Sequence, residues 1–178
     1  LTGVTNLVSN AGVVASDVTA VMTARRYLAA TEYSADKDKG IFAYGNAAGV
    51  VDESNLVSNV GVVASDVTGV GTDRDRLAAC GYGTDTAIFA YGHDGGRANM
   101  SNLVSNVGVI ATDTTGVGTA RQGLEATQYG NTKGIFGYGD NATGVLSMTN
   151  LVSTAGVVAT DTTGVGTARE HLAACSFN

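Results

Sequence analysis

The chain has 178 residues, a net charge of −6, 44% hydrophobic residues and 25 glycines, and it contains no proline and no tryptophan. The acidic balance argues against nucleic acid and anionic membranes as partners, because both are bound through basic patches. No apolar run approaches the roughly 20 residues of a membrane-spanning helix. Because proline is absent, we expect the turns to use Gly, Asn and Asp. The first residue is Leu1, from which we expect a processed chain or an excerpt of a longer polypeptide.

One phrase of about twenty residues occurs four times, and its spacing is the strongest signal in the chain. Each copy begins with Asn-Leu-Val-Ser and is followed by an arginine at a constant distance. A fixed period of this length is typical of solenoids, propellers and other arrays. We therefore predict one repeat domain over residues 1–178, with repeats at 6–54, 55–101, 102–149 and 150–178. The first asparagines are Asn6, Asn55, Asn102 and Asn150, and the arginines are Arg25, Arg74, Arg121 and Arg169.

Four short segments recur in each period, and their lengths are those of strands rather than helices. We number them from the Leu-Ala-Ala segment: Leu-Ala-Ala followed by an aromatic residue is the first, Ile-Phe-x-Tyr-Gly the second, Asn-Leu-Val-Ser the third and Gly-Val-Val-Ala the fourth. Asn-x-Gly between the third and the fourth predicts a tight hairpin, since both residues tolerate positive φ; Thr154 replaces this Asn in the last copy. Ile-Phe-x-Tyr-Gly is apolar on both faces, which favours sheets stacked face to face. A helix over residues 23–36 is the local alternative, and the glycines at the same register after Cys80 disfavour it.

Four strands in about 48 residues match one blade of a β-propeller. The order of the segments resembles a kelch repeat, in which an arginine-led strand precedes an apolar strand that ends in glycines, followed by two outer strands. Residues 119–169 follow this order, although Tyr-Gly-Asn or Tyr-Gly-Asp replaces the double glycine and the outer tryptophan of the family is missing. The resemblance implies an all-β propeller of about four four-stranded blades.

A second resemblance concerns the amino-acid sequence of the repeat itself. The sequence Ala-Thr-Asp-Thr-Thr-Gly-Val-Gly-Thr-Ala-Arg occurs identically at residues 111–121 and 159–169. It resembles the repeat arrays of virion-associated proteins of marine bacteriophages. This resemblance implies an extracellular or virion location.

The four segments do not occur equally often. Ile-Phe-x-Tyr-Gly occurs three times and the other segments four times. The N-terminal strands and a strand at Leu172–Phe177 would therefore share an incomplete blade without its second strand. A four-bladed ring, a larger ring of several chains and a piece of a longer propeller all remain open. We expect a monomeric four-bladed ring, although unpaired strand edges favour association.

Most of the recurring polar residues are interpreted as structural. The arginines are expected to pair with carboxylates or carbonyls of their own or the next blade. Cys80 and Cys175 occupy equivalent positions of non-adjacent units, too far apart for a disulfide, and are expected to be small buried residues. A local turn cap, rather than a cation site, is expected for the repeated aspartates, which are Asp17, Asp66, Asp113 and Asp161.

The chain is poorly supplied for catalysis. Its two histidines, His93 and His171, lie in different registers of the repeat. No Ser or Cys nucleophile is accompanied by a base and an orienting group. Gly-Val-Gly-Thr lacks the lysine that a phosphate-binding loop requires. We therefore expect no enzyme activity, no cofactor and no metal.

The stretches after Ile-Phe-x-Tyr-Gly differ between copies, at residues 46–54, 93–101 and 140–149. In a propeller these loops would share one rim, and binding residues tend to lie on loops of a rigid scaffold; simple drift of solvent loops is the alternative. We expect a non-enzymatic structural or recognition module that contacts a protein or a surface glycan, or alternatively a lectin-like propeller with one glycan site per blade. The candidate binding residues are Asp52, Glu53, His93, Asp94, Arg97, Asn99, Asp140 and Asn141.

Overall fold

The computed structural model describes residues 1–176, and within that range the chain is all-β, without a helix. Residues 29–33 form a strand, so the helical alternative is excluded there. The strands fall at the predicted segments and have the short lengths expected. They are β1 (Ala29–Tyr33), β2 (Lys39–Ala43), β3 (Ser54–Val57), β4 (Ala78–Tyr82), β5 (Thr86–His93), β6 (Arg97–Val104), β7 (Glu125–Tyr129), β8 (Lys133–Gly137), β9 (Asp140–Asn141), β10 (Gly144–Val145) and β11 (Thr149–Val152).

The strands form three antiparallel sheets of the same design, which we call units 1, 2 and 3. Unit 1 has the order β1-β2-β3, unit 2 has β4-β5-β6, and unit 3 has β7-β8-β11. In each unit the Ile-Phe strand is central and pairs with the Leu-Ala-Ala strand on one side and the Asn-Leu-Val-Ser strand on the other. The small hairpin β9-β10 lies in the loop of unit 3.

The Gly-Val-Val-Ala segment lies where it was predicted but does not form a regular strand. In unit 1 it is held by two separate bridges, Val57 with Val63 and Ser54 with Val67. Between these bridges the Asn55 side chain, rather than a backbone group, donates a hydrogen bond of 3.1 Å to the Ala64 carbonyl. The asparagine therefore interrupts the ladder and holds the fourth segment at the sheet edge. Units 2 and 3 repeat this arrangement.

The hairpin turn before this segment depends on glycine alone. Gly61 has a φ of +78°, and its N–H donates to the Ser58 carbonyl at 2.9 Å. The preceding asparagines do not adopt positive φ, so the predicted role of Asn in the turn is wrong. This explains why Thr154 leaves the last turn intact, with a hydrogen bond of 3.0 Å from the Gly156 N–H to the Ser153 carbonyl.

The two ends of the chain are half-units. Residues 5–18, the N-terminal hairpin, contain only the third and fourth segments, joined by bridges of Thr5 with Val18 and Val8 with Val14. Residues 172–176 form no strand, and Phe177 lies outside the described residues. The predicted C-terminal strand is thus not formed in its described part, because it has no Ile-Phe strand to pair with. For the same reason Cys175 is exposed, contrary to prediction, whereas Cys80 is buried; both are free thiols.

The units stack in chain order, and the core lies between them. The first strands β1, β4 and β7 pack side by side. One apolar cluster joins units 1 and 2, and a second joins units 2 and 3. Ile88 and Phe89 of β5 point to opposite faces, and both are buried, which confirms that this strand is covered on both sides. Stacking therefore fixes the position of each loop relative to its neighbours.

Candidate recognition surface

One buried arginine connects each pair of successive units. The Arg74 guanidinium lies 4.1 Å from the centre of the Tyr44 ring of unit 1. It donates hydrogen bonds to the Tyr91 carbonyl at 3.0 Å and to Asn102 Oδ1 at 2.6 Å in unit 2. Burial raises the pKa of Tyr44 to about 12, although Arg74 opposes the shift. The predicted pairing of the arginines with their own or the next unit is confirmed, so these cations belong to the scaffold.

The repeated aspartates also serve the scaffold, but not as local caps. Asp66 accepts hydrogen bonds from the Thr23 N–H at 3.0 Å and the Thr23 hydroxyl at 2.6 Å, although the residues are 43 positions apart. It also accepts one from Asn55 at 2.9 Å. Burial opposes ionisation of Asp66, but these donors outweigh it, so its pKa is lowered. The local-cap prediction is therefore wrong, since Asp66, Asp113 and Asp161 each fasten the incoming chain to their unit.

His93 belongs to a polar cluster between units 1 and 2. Its Nδ1 atom lies 3.7 Å from Asp75 Oδ1, and the two residues form an isolated backbone bridge. Asn46 of unit 1 donates a hydrogen bond of 3.3 Å to Asp75 Oδ2. Asp75 is buried, and its Oδ1 has no hydrogen-bond partner among the described residues. This carboxylate oxygen therefore lies buried beside the His93 ring without a hydrogen-bond donor among the described residues.

Arg97 and Asp140 form the corresponding cluster between units 2 and 3. The Arg97 guanidinium donates two hydrogen bonds to Asp140 Oδ1, from Nε at 3.0 Å and Nη2 at 2.5 Å. Gln122 donates to the same oxygen at 3.2 Å and accepts from Arg76 at 3.3 Å. Of the candidate residues, His93, Arg97 and Asp140 thus join a polar track that crosses all three units. We call this set the polar track: Asn46, Asp75, His93, Arg76, Gln122, Arg97 and Asp140.

Two other candidates make local contacts within their own loops. Asp94 accepts a hydrogen bond of 3.1 Å from the Gly96 N–H. Asn141 Oδ1 accepts from the Thr143 N–H at 2.9 Å and from the Gly144 N–H at 3.0 Å. These bonds form the tips of two loops. Asp94 and Asn141 therefore lie beside the polar track rather than within its bridging contacts.

Asp52, Glu53 and Asn99 lie at the start of the third strands. A side chain at Gly69 would collide with the Asp52 carboxylate, so Asp52 fills the space that this glycine leaves. Burial, the Asp73 charge and the Glu53 charge raise the pKa of Asp52. Glu53 Oε2 is buried without a hydrogen-bond partner among the described residues. Asn99 donates to the Gly118 carbonyl at 2.8 Å.

A small cavity of about 130 Å³ lies next to the polar track, where the first strands of the units begin. A backbone ladder surrounds it: the Arg76 N–H donates to the Tyr27 carbonyl at 2.9 Å, Gly123 to Arg76 at 3.0 Å, and His171 to Gly123 at 2.8 Å. The Arg76 guanidinium also lies 4.9 Å from the centre of the Tyr27 ring. The cavity is lined by Tyr27, Leu28, Arg76, Leu77, Gly123, Leu124, Glu125 and His171.

Sequence reasoning missed Asp75 and Gln122, which hold the two clusters together. Both occupy the position directly after the recurring arginine, which we call the wedge arginine (Arg25, Arg74, Arg121 and Arg169). At this position the copies carry Arg26, Asp75, Gln122 and Glu170. Their polarity and variation between copies were a usable signal, but it was overlooked because the variable loops were treated as the only variable positions.

Within residues 1–176, no three His, Cys, Asp or Glu side chains are grouped so that they could hold a metal ion. Over the same range no helix is long and apolar enough to cross a membrane.

Comparison with known proteins gives a likeness of fold only. No family model and no curated protein matches the chain. A solved structure described as "Structure of YjhT" superposes with a TM-score of 0.55 at 16% sequence identity. The match covers 76% of this chain and spans 44% of the YjhT chain. The all-β architecture of stacked antiparallel sheets is therefore shared with a known structure.

Proposed function

We propose that the units are blades of a β-propeller and that the chain is a non-enzymatic recognition module. The polar track is its contact surface, and the partner is a protein or a glycan on a particle or cell surface. Support for the propeller comes from three sheets of identical strand order that stack through their first strands. The repeat resemblance to phage virion proteins favours a location on a virion or outside a cell.

The observation that carries this proposal is the contrast between constant and variable positions. The wedge arginines, the repeated aspartates and the tyrosines that contact the arginines recur in every unit. Their polar groups are occupied by contacts within the scaffold. At the same edge, the residues of the polar track differ between units and link the loops of successive units. Invariant stacks that hold varied polar groups in fixed positions are typical of a recognition surface.

The alternative is a lectin-like propeller, and the cavity beside the track favours it. Tyr27, Arg76 and Glu125 bring an aromatic ring, a cation and a carboxylate to one opening. Burial raises the pKa of Glu125. Sugars are bound by aromatic faces together with planar polar groups, so a glycan is a suitable ligand for this opening. A glycan array tests this alternative directly.

The test of the main proposal compares binding to intact phage particles and to cell surfaces. The double variant His93→Ala with Arg97→Ala removes two side chains of the track, and we expect its binding to fall at least tenfold. The control variant Asp36→Ala with Lys39→Ala changes two exposed residues, one in the β1–β2 turn and one at the start of β2, and should bind like the wild type. Equal binding by the track variant, with an unchanged melting temperature, contradicts the proposal.

A further inference from the structure

Two contacts are built repeatedly along the chain, and together they define a junction. In the first, a threonine before the wedge arginine donates its N–H and hydroxyl to an aspartate, as Thr72 does to Asp113 at 3.1 and 2.7 Å. The same pair occurs as Thr119 with Asp161 at 3.0 and 2.7 Å. The wedge arginine beside the threonine contacts the asparagine of the same hairpin.

The second contact seats a leucine and a tyrosine of one unit on the turn glycine of the next. A side chain at Gly108 would collide with Leu56 and with the Tyr33 ring. A side chain at Gly156 would collide in the same way with Leu103 and the Tyr82 ring. The bare glycine is therefore the receiving half of the contact, and the leucine with the tyrosine is the inserting half.

The N-terminal hairpin inserts its Leu7 at Gly61 of unit 1, but its own receiving halves are unfilled. Asp17 accepts a hydrogen bond of 2.8 Å from Asn6, and no threonine donates to it among the described residues. Gly12 has nothing within 4 Å of the place where a side chain would lie. Asn6 is exposed, whereas its three counterparts are completely buried. We call Asn6, Gly12 and Asp17 the receiving face.

The C-terminal part carries only the inserting halves. Thr167 and Arg169 are exposed, whereas Arg74 and Arg121 are completely buried. Arg169 still lies 3.9 Å from the centre of the Tyr138 ring, so the guanidinium is already held in the wedge position. Leu151 is 39% exposed and has the register of Leu56 and Leu103. We call Leu151, Thr167 and Arg169 the inserting face.

We propose that the inserting face of one chain binds the receiving face of a second copy. Thr167 would then donate to the partner copy's Asp17, Arg169 would reach its Asn6, and Leu151 would cover its Gly12. The occupant is identified by this match, because each missing half on one face is supplied by the other face in the chemistry that the internal junctions use. The cation Arg169 also meets the anion Asp17, so the faces are complementary in charge.

The contact is heterologous, since two different faces meet, and such contacts produce a ring when the rotation closes or a filament when it does not. The matched part of one chain spans 44% of the YjhT chain, so the matched parts of two copies would span 88% of it, and a closed dimer is the assembly that we test. The junction lacks the Ile-Phe strand that the internal units contain. We therefore expect reversible association with a Kd of about 10 μM. This inference runs against the monomeric ring expected from the sequence.

Sedimentation velocity decides between these two states. We expect the mass to rise from that of one 17.9 kDa chain to that of two between about 1 and about 100 μM protein. A single species of one-chain mass over this range overturns the proposal and supports either the monomer or closure within one chain.

Charge reversal tests which faces meet. Asp17→Lys places a cation against Arg169, and Thr167→Asp places an anion against Asp17, so each variant alone should associate at least tenfold more weakly. Mixing the two variants should restore association, because the unaltered inserting face of the Asp17→Lys chain meets the unaltered receiving face of the Thr167→Asp chain, and at the other junction Lys at position 17 faces Asp at position 167. Both side chains are exposed, and among the described residues neither makes a hydrogen bond with units 1–3; unchanged melting temperatures will verify the fold. Failure of the mixture to associate contradicts the head-to-tail arrangement.

Discussion

The N-terminal hairpin and the matching hairpin of unit 2 have nearly the same sequence but opposite surroundings. Internally they agree: Asn6 donates to the Ala15 carbonyl at 3.0 Å, and Asn102 to the Ala111 carbonyl at 2.9 Å. Their burial differs, since Val8 is 64% exposed and Val104 is 0% exposed. The shape of the hairpin is therefore encoded locally, whereas its burial depends on a central strand and on the neighbouring unit.

The largest expected effect on stability comes from comparing a buried and an exposed wedge arginine. Arg74→Ala removes a buried cation that holds Tyr44, Tyr91 and Asn102, and we expect the free energy of unfolding to fall by about 3 kcal/mol. Arg169→Ala removes an exposed copy of the same side chain and should change this free energy little. Urea unfolding of both variants measures the difference, and equal losses would show that burial does not distinguish them.

The turn glycines give a smaller effect. Gly61→Val should destabilise the fold by more than about 1 kcal/mol, because valine is strained at positive φ and would collide with Leu7. Gly12 has a similar φ of +74° but open space around it, so Gly12→Val carries the strain without the collision. In thermal unfolding, the melting temperature of Gly61→Val should be lower than that of Gly12→Val. The reverse order would contradict the contact between Leu7 and Gly61.

The smallest effect is expected from the repeated aspartates, whose protonation should lower the stability of the fold in acid. Hydrogen bonds from threonine and asparagine outweigh burial and lower the pKa of Asp66, Asp113 and Asp161. A lowered folded pKa adds stability above the unfolded value of about 4, and this stability disappears as the pH falls through the folded value. The triple Asp→Asn variant should therefore lose less stability than the wild type between about pH 4 and about pH 2. Parallel losses would assign the acid sensitivity to other carboxylates.

Periodicity was sufficient to predict the all-β class and the positions of the three main strands of each unit. These features depend on local patterns such as Ile-Phe-x-Tyr-Gly, which recur intact. The partners of Asp66 and of the wedge arginines lie roughly 20 to 40 residues away in the chain, so only the stacked units bring them together. The strand expected at residues 172–176 failed because an apolar segment needs a neighbour to pair with, and the pattern does not supply one.

The candidate site was predicted only in part, for a related reason. His93, Arg97 and Asp140 were identified because their loops vary between copies, and the structure places them in contacts across units. Asp75 and Gln122 sit one residue after an invariant arginine, so they were read as part of the constant frame. To find them, the variation between copies has to be judged position by position. Constant and variable residues are neighbours in the segment that leads into the first strand of each unit.

Along the backbone ladder around the small cavity, residues of different types adopt the same backbone conformation. Tyr27, Arg76, Gly123 and His171 have φ values of +56°, +53°, +60° and +52°, although their side chains share no chemistry. Main-chain bonds, rather than the residue type, hold each of them in the left-handed region, where a non-glycine residue carries a cost of about 1 kcal/mol or more. New specificities can therefore be engineered by exchanging these four residues, while the frame that displays them stays the same.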